Sequence, residues 1–242
     1  MSIISVPEAS QYKEGKDNTG TIEIPACFPG YGTTLGNAIR RVLLSSLEGA
    51  AITSVRINGV SHEFSAIDGV MEDVVQIILN LKQINFKIHS DEKVTASLKV
   101  KGDGDVTAAD IKTSSDLEIV DGKQHIATIT DKKATLEMEF TIEKGIGYVS
   151  SDQYSDNERE LGSIVIDAVY TPVKRVNYNV ENMRVGKRTD YEKVTLEIVT
   201  DGSITPQEAF DSSIDILVEQ FGALSANGVD IANTSEDKKE EE

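Results

Sequence analysis

The segment Gly30-Tyr-Gly-Thr-Thr-Leu-Gly36 has the residue types of a phosphate-binding turn. Glycines let the backbone approach an anion, and a helix that follows would aim its free N–H groups at it. The spacing departs from both loops that work this way. The dinucleotide fingerprint needs its third glycine at position 35, where Leu35 stands, and a P-loop needs Lys-Ser/Thr after its last glycine, where Asn37-Ala38 stand. A tight strand-to-helix turn, with Thr33 or Thr34 as N-cap, accounts for the segment better. Asp103-Gly-Asp105 offers carboxylates to a divalent cation, but no glutamate follows at EF-hand spacing, and a solvated turn between strands is the simpler account. His62, His89 and His125 belong to different strand regions without a His-x-x-x-His pair. Cys27 is the single cysteine, which excludes an internal disulfide and a Cys-rich zinc site. No Gly-x-Ser-x-Gly elbow is present. No catalytic, cofactor-binding or metal-binding residue is therefore expected.

The helix that follows the glycines is more informative. At 100° per residue over 34–48, Leu35, Ala38, Ile39, Val42, Leu43 and Leu47 share one face, and Asn37, Arg41, Leu44, Ser45 and Glu48 lie opposite. Arg41 beside Leu44 fits two readings. One is a partner anchor, since Arg is enriched at interface hot spots. The other is an ordinary solvated face with one stray leucine.

The remaining elements must hold that helix. Residues 20–28 alternate apolar and polar after a turn-rich Glu-Gly-Lys-Asp-Asn-Thr-Gly, predicting a hairpin with a strand at about 7–13. Asn58-Gly59 predicts a second hairpin over 51–64. Val70, Val74, Ile77, Ile78 and Leu81 predict a helix over 69–81. Strands are expected near 84–89, 93–100, 117–120, 125–130, 135–143, 163–169, 173–181 and 193–199. A last helix over 206–224 starts on a Thr205/Glu208 capping box with Pro206 at its first position. Phe210, Ile214, Leu217, Phe221 and Leu224 then repeat at four, three, four and three, a coiled-coil-like seam. Many strands and three helices without a βαβ rhythm predict an α+β fold.

Composition narrows the function. The chain has 242 residues, 39% of them hydrophobic, enough to bury a core without staples. Its 24 basic and 41 acidic residues give a net charge of −17, which disfavours autonomous DNA binding. The first residues lack the basic and apolar regions of a signal peptide, and no apolar run reaches 18 residues, so a cytoplasmic protein outside any membrane is expected. The final residues, Thr-Ser-Glu-Asp-Lys-Lys-Glu-Glu-Glu, read as a solvated tail.

Several long segments resemble one family. Phe28-Pro-Gly-Tyr-Gly-Thr-Thr-Leu-Gly-Asn-Ala-Ile-Arg-Arg-Val-Leu-Leu-Ser-Ser46 is similar to the signature segment of the bacterial RNA polymerase α subunits. The similarity continues through Asn58-Gly-Val-Ser-His-Glu-Phe64 and Gly69-Val-Met-Glu-Asp-Val-Val-Gln-Ile-Ile-Leu-Asn-Leu-Lys82. It resumes at Val106-Thr-Ala-Ala-Asp-Ile111, Gly145-Ile-Gly-Tyr-Val149 and Pro172-Val-Lys-Arg-Val-Asn-Tyr-Asn-Val-Glu181. It closes with Arg188-Thr-Asp-Tyr-Glu-Lys-Val-Thr-Leu-Glu-Ile198 and Gly202-Ser-Ile-Thr-Pro-Gln-Glu-Ala209. These segments are in order and span about 20–225.

The resemblance implies a discontinuous dimerisation domain, a sheet plus two long helices, from residues 1–48 and 170–232. A mostly β domain would be inserted at 49–169, and 233–242 would be a disordered acidic tail or the start of a linker. It implies a non-catalytic assembly subunit of DNA-directed RNA polymerase, a nucleotidyltransferase whose active site lies in other subunits. Two copies would form a platform for the β and β′ subunits in transcription. Arg41, Leu44, Asn37 and Ser45 would meet β, and Lys82 and Ile166 would meet β′. The dimer interface is expected from Leu35, Ile39, Phe210, Ile214, Leu217, Phe221 and Leu224, and no cofactor is implied. Family members usually continue into a small C-terminal DNA-binding domain, which this sequence does not enter, so upstream-DNA binding is not expected of it. Two rival readings are an acidic enzyme with a site assembled from scattered residues and a free-standing dimeric regulator.

Overall fold

The computed structural model describes residues 4–90, 92–153 and 162–224. The first strands are β1 (Gln11–Glu14) and β2 (Thr19–Cys27), followed by helix α1 (Tyr31–Ser45) and β3 (Glu48–Ile57). Helix α2 (Val74–Leu81) leads into β4 (Phe86–Ile88), β5 (Val94–Lys101), β6 (Gly104–Thr107), β7 (Ile111–Lys112) and β8 (Leu117–Ile119). Next come β9 (His125–Ile129), β10 (Thr135–Ile146), β11 (Tyr148–Val149), β12 (Ile164–Val165) and β13 (Ala168–Val169). The long strands β14 (Val173–Val185) and β15 (Arg188–Thr200) precede helix α3 (Pro206–Ala223). The chain is thus mixed α and β, mostly sheet with three helices among the described residues.

Two cores account for the burial. The first lies on an antiparallel sheet of order β1-β2-β15-β14. Period-two alternation turns Ile22 and Ile24 of β2, and Val194, Leu196 and Ile198 of β15, to one side. Against them pack Ile39 and Leu43 of α1, then Leu47, with Ala209 and Phe210 of α3. A bulge across Pro25 and Ala26 shifts the register, so that Ile24 faces Val194 but Cys27 faces Glu192. The second core is built from residues 52–166. Its main sheet has the order β12-β3-β10-β5-β7. Val74, Ile77 and Leu81 of α2 are fully buried in this core. The chain passes between the cores at Gly49 and again near Tyr170, and these passages touch: a side chain at Gly49 would sit 1.7 Å from the Tyr170 carbonyl oxygen. The ring of Tyr170 lies over Gly145, where a Cβ would come within 2.7 Å of it.

Several local expectations are corrected. Helix α1 begins at Tyr31, not 34, and its N-cap is Gly30 at φ 84°, without a side-chain cap. Thr33 and Thr34 lie inside the first turn, because a distant side chain takes over the capping. The helix ends at Ser45, and Glu48 already belongs to β3. Asn58-Gly59 does turn the chain, with Gly59 at φ 81°, but β3 finds its partners in β10 and β12 instead of a strand before residue 64. Non-local pairing wins over the local turn signal. Helix α2 starts at Val74, capped by Asp73, whose carboxylate accepts the Gln76 N–H at 2.7 Å. Val70, at helical spacing in the sequence, instead bridges to Ile129. The segment 163–169 divides into β12 and β13. The tail at 233–242 and the preceding 225–232 lie outside the described residues.

The Thr205/Glu208 capping box forms as the spacing predicts. The Glu208 N–H donates to Thr205 Oγ1 at 3.2 Å, and the Thr205 N–H to Glu208 Oε2 at 2.9 Å. Those bonds from Thr205, its backbone N–H first, hold the Glu208 carboxyl below its usual range.

Candidate functional site

The glycine-rich entrance to α1 is occupied by the chain's own carboxylate. Glu192, on β15, accepts the Gly30 N–H at 3.0 Å and the Gly32 N–H at 2.8 Å. A negative group at a helix N-terminus satisfies orphan donors and the helix dipole together. A Cβ on Gly32 would lie 2.7 Å from Glu192 Oε2, and one on Gly36 would lie 2.7 Å from the Tyr178 ring. These glycines seat the helix on β14 and β15. Next to them, the Arg188 guanidinium lies over the rings of Phe28, at 5.5 Å, and Tyr191, at 4.9 Å. Phe28 meets Tyr31 and Tyr191 edge to face. Glu192 escapes a sequence reading because the capped turn lies 160 residues away.

With its N-terminus fixed, α1 presents Asn37, Arg41 and Ser45 to solvent. Ser45 Oγ donates to the Arg41 carbonyl at 2.8 Å. Arg41 makes no side-chain hydrogen bond or ion pair among the described residues, so its guanidinium is free to meet a partner. Leu44 departs from the helical wheel: it is half-buried against the first core instead of lying on the solvent face. Arg40 differs from its neighbour, donating from Nε to the Val176 carbonyl at 3.1 Å.

Lys82 and the Ile166 segment come together at the edge of the second core. Lys82, just past α2, pairs with Asp167 at 3.3 Å. Ile166 itself is buried, so its neighbour Asp167 is what the surface shows. Asp167 Oδ1 also accepts the Ser151 N–H at 2.9 Å. The Ser151 backbone N–H and hydroxyl, then Lys82, outweigh burial and lower the Asp167 carboxyl to about 2. The pair borders a cleft of about 480 Å³ between the two cores, also lined by Asn85, Lys174 and Asp201.

The expected dimer seam changes character along α3. Phe210 is buried in the chain's own first core, as is Ile39 of α1, while Leu35, Ile214 and Leu217 are half-buried against it. Phe221 and Leu224 are 64% and 80% exposed. Tertiary packing therefore consumes the start of the seam and leaves its end uncovered.

Other candidates resolve into structural roles. Cys27 is buried, and burial pushes its thiol up. Asp105 accepts a hydrogen bond from Thr128 Oγ1 at 3.1 Å. Glu72, unnoticed in the sequence, is buried and accepts from the Thr128 N–H at 2.7 Å, with His125 Nε2 at 3.0 Å. Among the described residues no group of three or more His, Cys, Asp or Glu could hold a metal ion, and no helix is long and apolar enough to cross a membrane. What the geometry offers is a set of rigidly mounted, exposed side chains suited to binding.

Residues 55–171 match the family described as RNA polymerase Rpb3/RpoA insert domain. Proteins named DNA-directed RNA polymerase subunit alpha are similar over most of the chain. That of Clostridium kluyveri is 47% identical over 247 residues, covering 99% of this chain and 78% of the relative. That of Moorella thermoacetica is 51% identical over 205 residues, 85% of this chain and 65% of the relative. That of Geobacter metallireducens is 50% identical over 213 residues, 88% of this chain and 62% of the relative.

Proposed function

The chain belongs to the family of DNA-directed RNA polymerase α subunits, and from that membership we propose that it is a non-catalytic assembly subunit. Two copies form a platform, and the platform recruits the β and β′ subunits, which carry the chemistry of transcription. The proposed work is done in the cytoplasm, by surfaces and without a cofactor.

The observation that carries this reading is the outward face of α1. Asn37, Arg41 and Ser45 are exposed on a helix pinned by Glu192 at one end and buried along its inner side. A rigid mount means little ordering entropy is lost on binding, and a free Arg is a common anchor of interface energy. We assign this face, with half-buried Leu44 at its margin, to the β subunit of one protomer's contact. In the other protomer, Lys82 and the Ile166–Asp167 segment meet β′, since a twofold dimer facing two different chains exposes different patches to each. We assign the dimer contact to Leu35, Ile214, Leu217, Phe221 and Leu224, with Ile39 and Phe210 supporting it from within. The domain division follows: 1–48 with 170–232 for dimerisation, and 49–169 inserted. The two separate cores support it.

Affinity capture with the tagged full chain tests the reading. Purified β and β′ subunits should be retained in sequence, and the eluted core should transcribe. A chain that forms dimers but retains neither large subunit would overturn it.

A further inference from the structure

Ile146, Tyr148 and Val169 are 57%, 59% and 56% exposed along one short stretch of structure. Tyr148 and Val169 are cross-strand partners in the β11–β13 ribbon, and Ile146 ends β10 two residues earlier. The ribbon is fixed from below. Ala168 and Tyr170, on either side of Val169, are buried with Ala51, and the Tyr170 N–H donates to the Gly147 carbonyl at 2.9 Å. Strand alternation therefore points Val169 outward. One exposed apolar side chain is ordinary, but a cross-strand pair with a third beside it, held on a fixed ribbon, is a patch. The patch adjoins the end of α1: Ile146 pairs with Glu48, and the Ser45 carbonyl lies 3.9 Å from where a side chain at Gly147 would begin.

We propose that the β-subunit contact on α1 continues onto this ribbon, so that one segment of β spans Arg41, Ser45, Tyr148 and Val169. The inference rests on the assembly reading of the Arg41 face. The two parts call for a partner segment of mixed chemistry, a carboxylate for Arg41 beside apolar side chains for the ribbon. With a net charge of −17, the chain repels a purely acidic partner at long range, which favours a segment that adds apolar contact to the carboxylate. Tyr148 suits that task, because a large ring with a polar rim gains contact area at little rotamer cost.

Dissociation constants for purified β subunit should be measured with the full chain and with Arg41→Ala, Tyr148→Ser and Val169→Thr. Val169→Thr keeps a β-branched strand former while removing apolar character, so it tests the ribbon even if Tyr148→Ser fails to fold. Tyr148→Ser should weaken binding about tenfold or more and Val169→Thr several-fold, with unchanged dimer elution and, at saturating β, unchanged β′ addition. If Arg41→Ala weakens binding while both ribbon variants match wild type, the ribbon is outside the interface and the inference fails alone. If Arg41→Ala also matches wild type, the assembly reading of α1 fails with it. Ribbon variants that keep β but lose β′ would equally overturn the assignment.

Discussion

The carboxylate of Glu192 lies 2.8 Å from the backbone nitrogen of Gly32, on a different element and 160 residues away in sequence. It also holds the Gly30 N–H, so one side chain from the sheet supplies the cap that the N-cap Gly30, without a side chain, cannot. Losing an N-cap acceptor costs about 1–2 kcal/mol. Glu192→Ala should therefore lower the melting temperature by several degrees, and Glu192→Gln, which keeps an acceptor oxygen, by less. Thermal unfolding followed by circular dichroism reads both. Equal losses in the two variants would show that charge, not the acceptor, is what counts.

Arg41 and Arg40 should part company. The Arg41 side chain is exposed and makes no hydrogen bond or ion pair among the described residues, so Arg41→Ala should change folding stability by within about 0.5 kcal/mol. At a desolvated interface its loss should cost about 2 kcal/mol or more, a thirtyfold weakening of β capture. Arg40 donates to the Val176 carbonyl and ties α1 to β14. Arg40→Ala should lower the melting temperature by more than Arg41→Ala. Paired melting curves and β-capture titrations check the crossover.

Substitutions at the exposed end of α3 should separate dimerisation from folding. Phe221→Glu places a charge where the isolated chain is open to solvent, so the protein should remain folded and elute as a monomer at micromolar concentration. Leu217→Glu, half-buried against the first core, should also lose stability, since a carboxylate left without partners in a core costs several kcal/mol. Size-exclusion chromatography with light scattering distinguishes the two. A Phe221→Glu protein that stays dimeric would move the interface elsewhere.

Asp167 gives a pH signature. Its folded pKa, about 2, lies below its ordinary value of 3.8. A depressed carboxyl stabilises the fold above the unfolded pKa and loses that contribution as pH falls through the folded one. The stability gap between wild type and Asp167→Asn should be steady above about pH 5 and close between pH 4 and 2. Urea melts across that range measure it. A gap independent of pH would mean that the Asp167 carboxyl titrates alike in the folded and the unfolded chain.

Elements with local causes were legible in the sequence. The α3 start followed from Thr205, Pro206 and Glu208 because a capping box is closed within four residues. The inward residues of β2 followed from alternation, and β15 covers the strand expected near 193–199. The family followed from long ordered segments, and the Lys82–Asp167 meeting lies next to the Lys82/Ile166 pair that the resemblance singled out. What failed depends on distant contacts. Glu192 moved the start of α1, β10 drew β3 away from the Asn58-Gly59 hairpin, and Ile129 claimed Val70. The helical wheel placed Arg41 correctly and Leu44 wrongly, because a wheel assumes one buried direction while α1 packs on both sheet and α3. That Tyr148 and Val169 face outward was not legible, since an outward-facing apolar residue in a short strand has the same pattern as an inward one.

The touching passages at Gly49 and Tyr170 set an order of events during synthesis. Residues 173–217, needed to complete the first core, leave the ribosome after the whole of the second core, whose residues are contiguous. For a flexible chain, bringing the ends of a segment of this length together would cost about 4 kcal/mol in closure entropy. Once the middle segment has folded, its ends are already side by side, and β14 and β15 arrive next to β2 and α1 with that cost already met. The insertion thus acts as a splint for the strands on either side of it. Mutations that slow its folding should delay maturation of a surface they never touch.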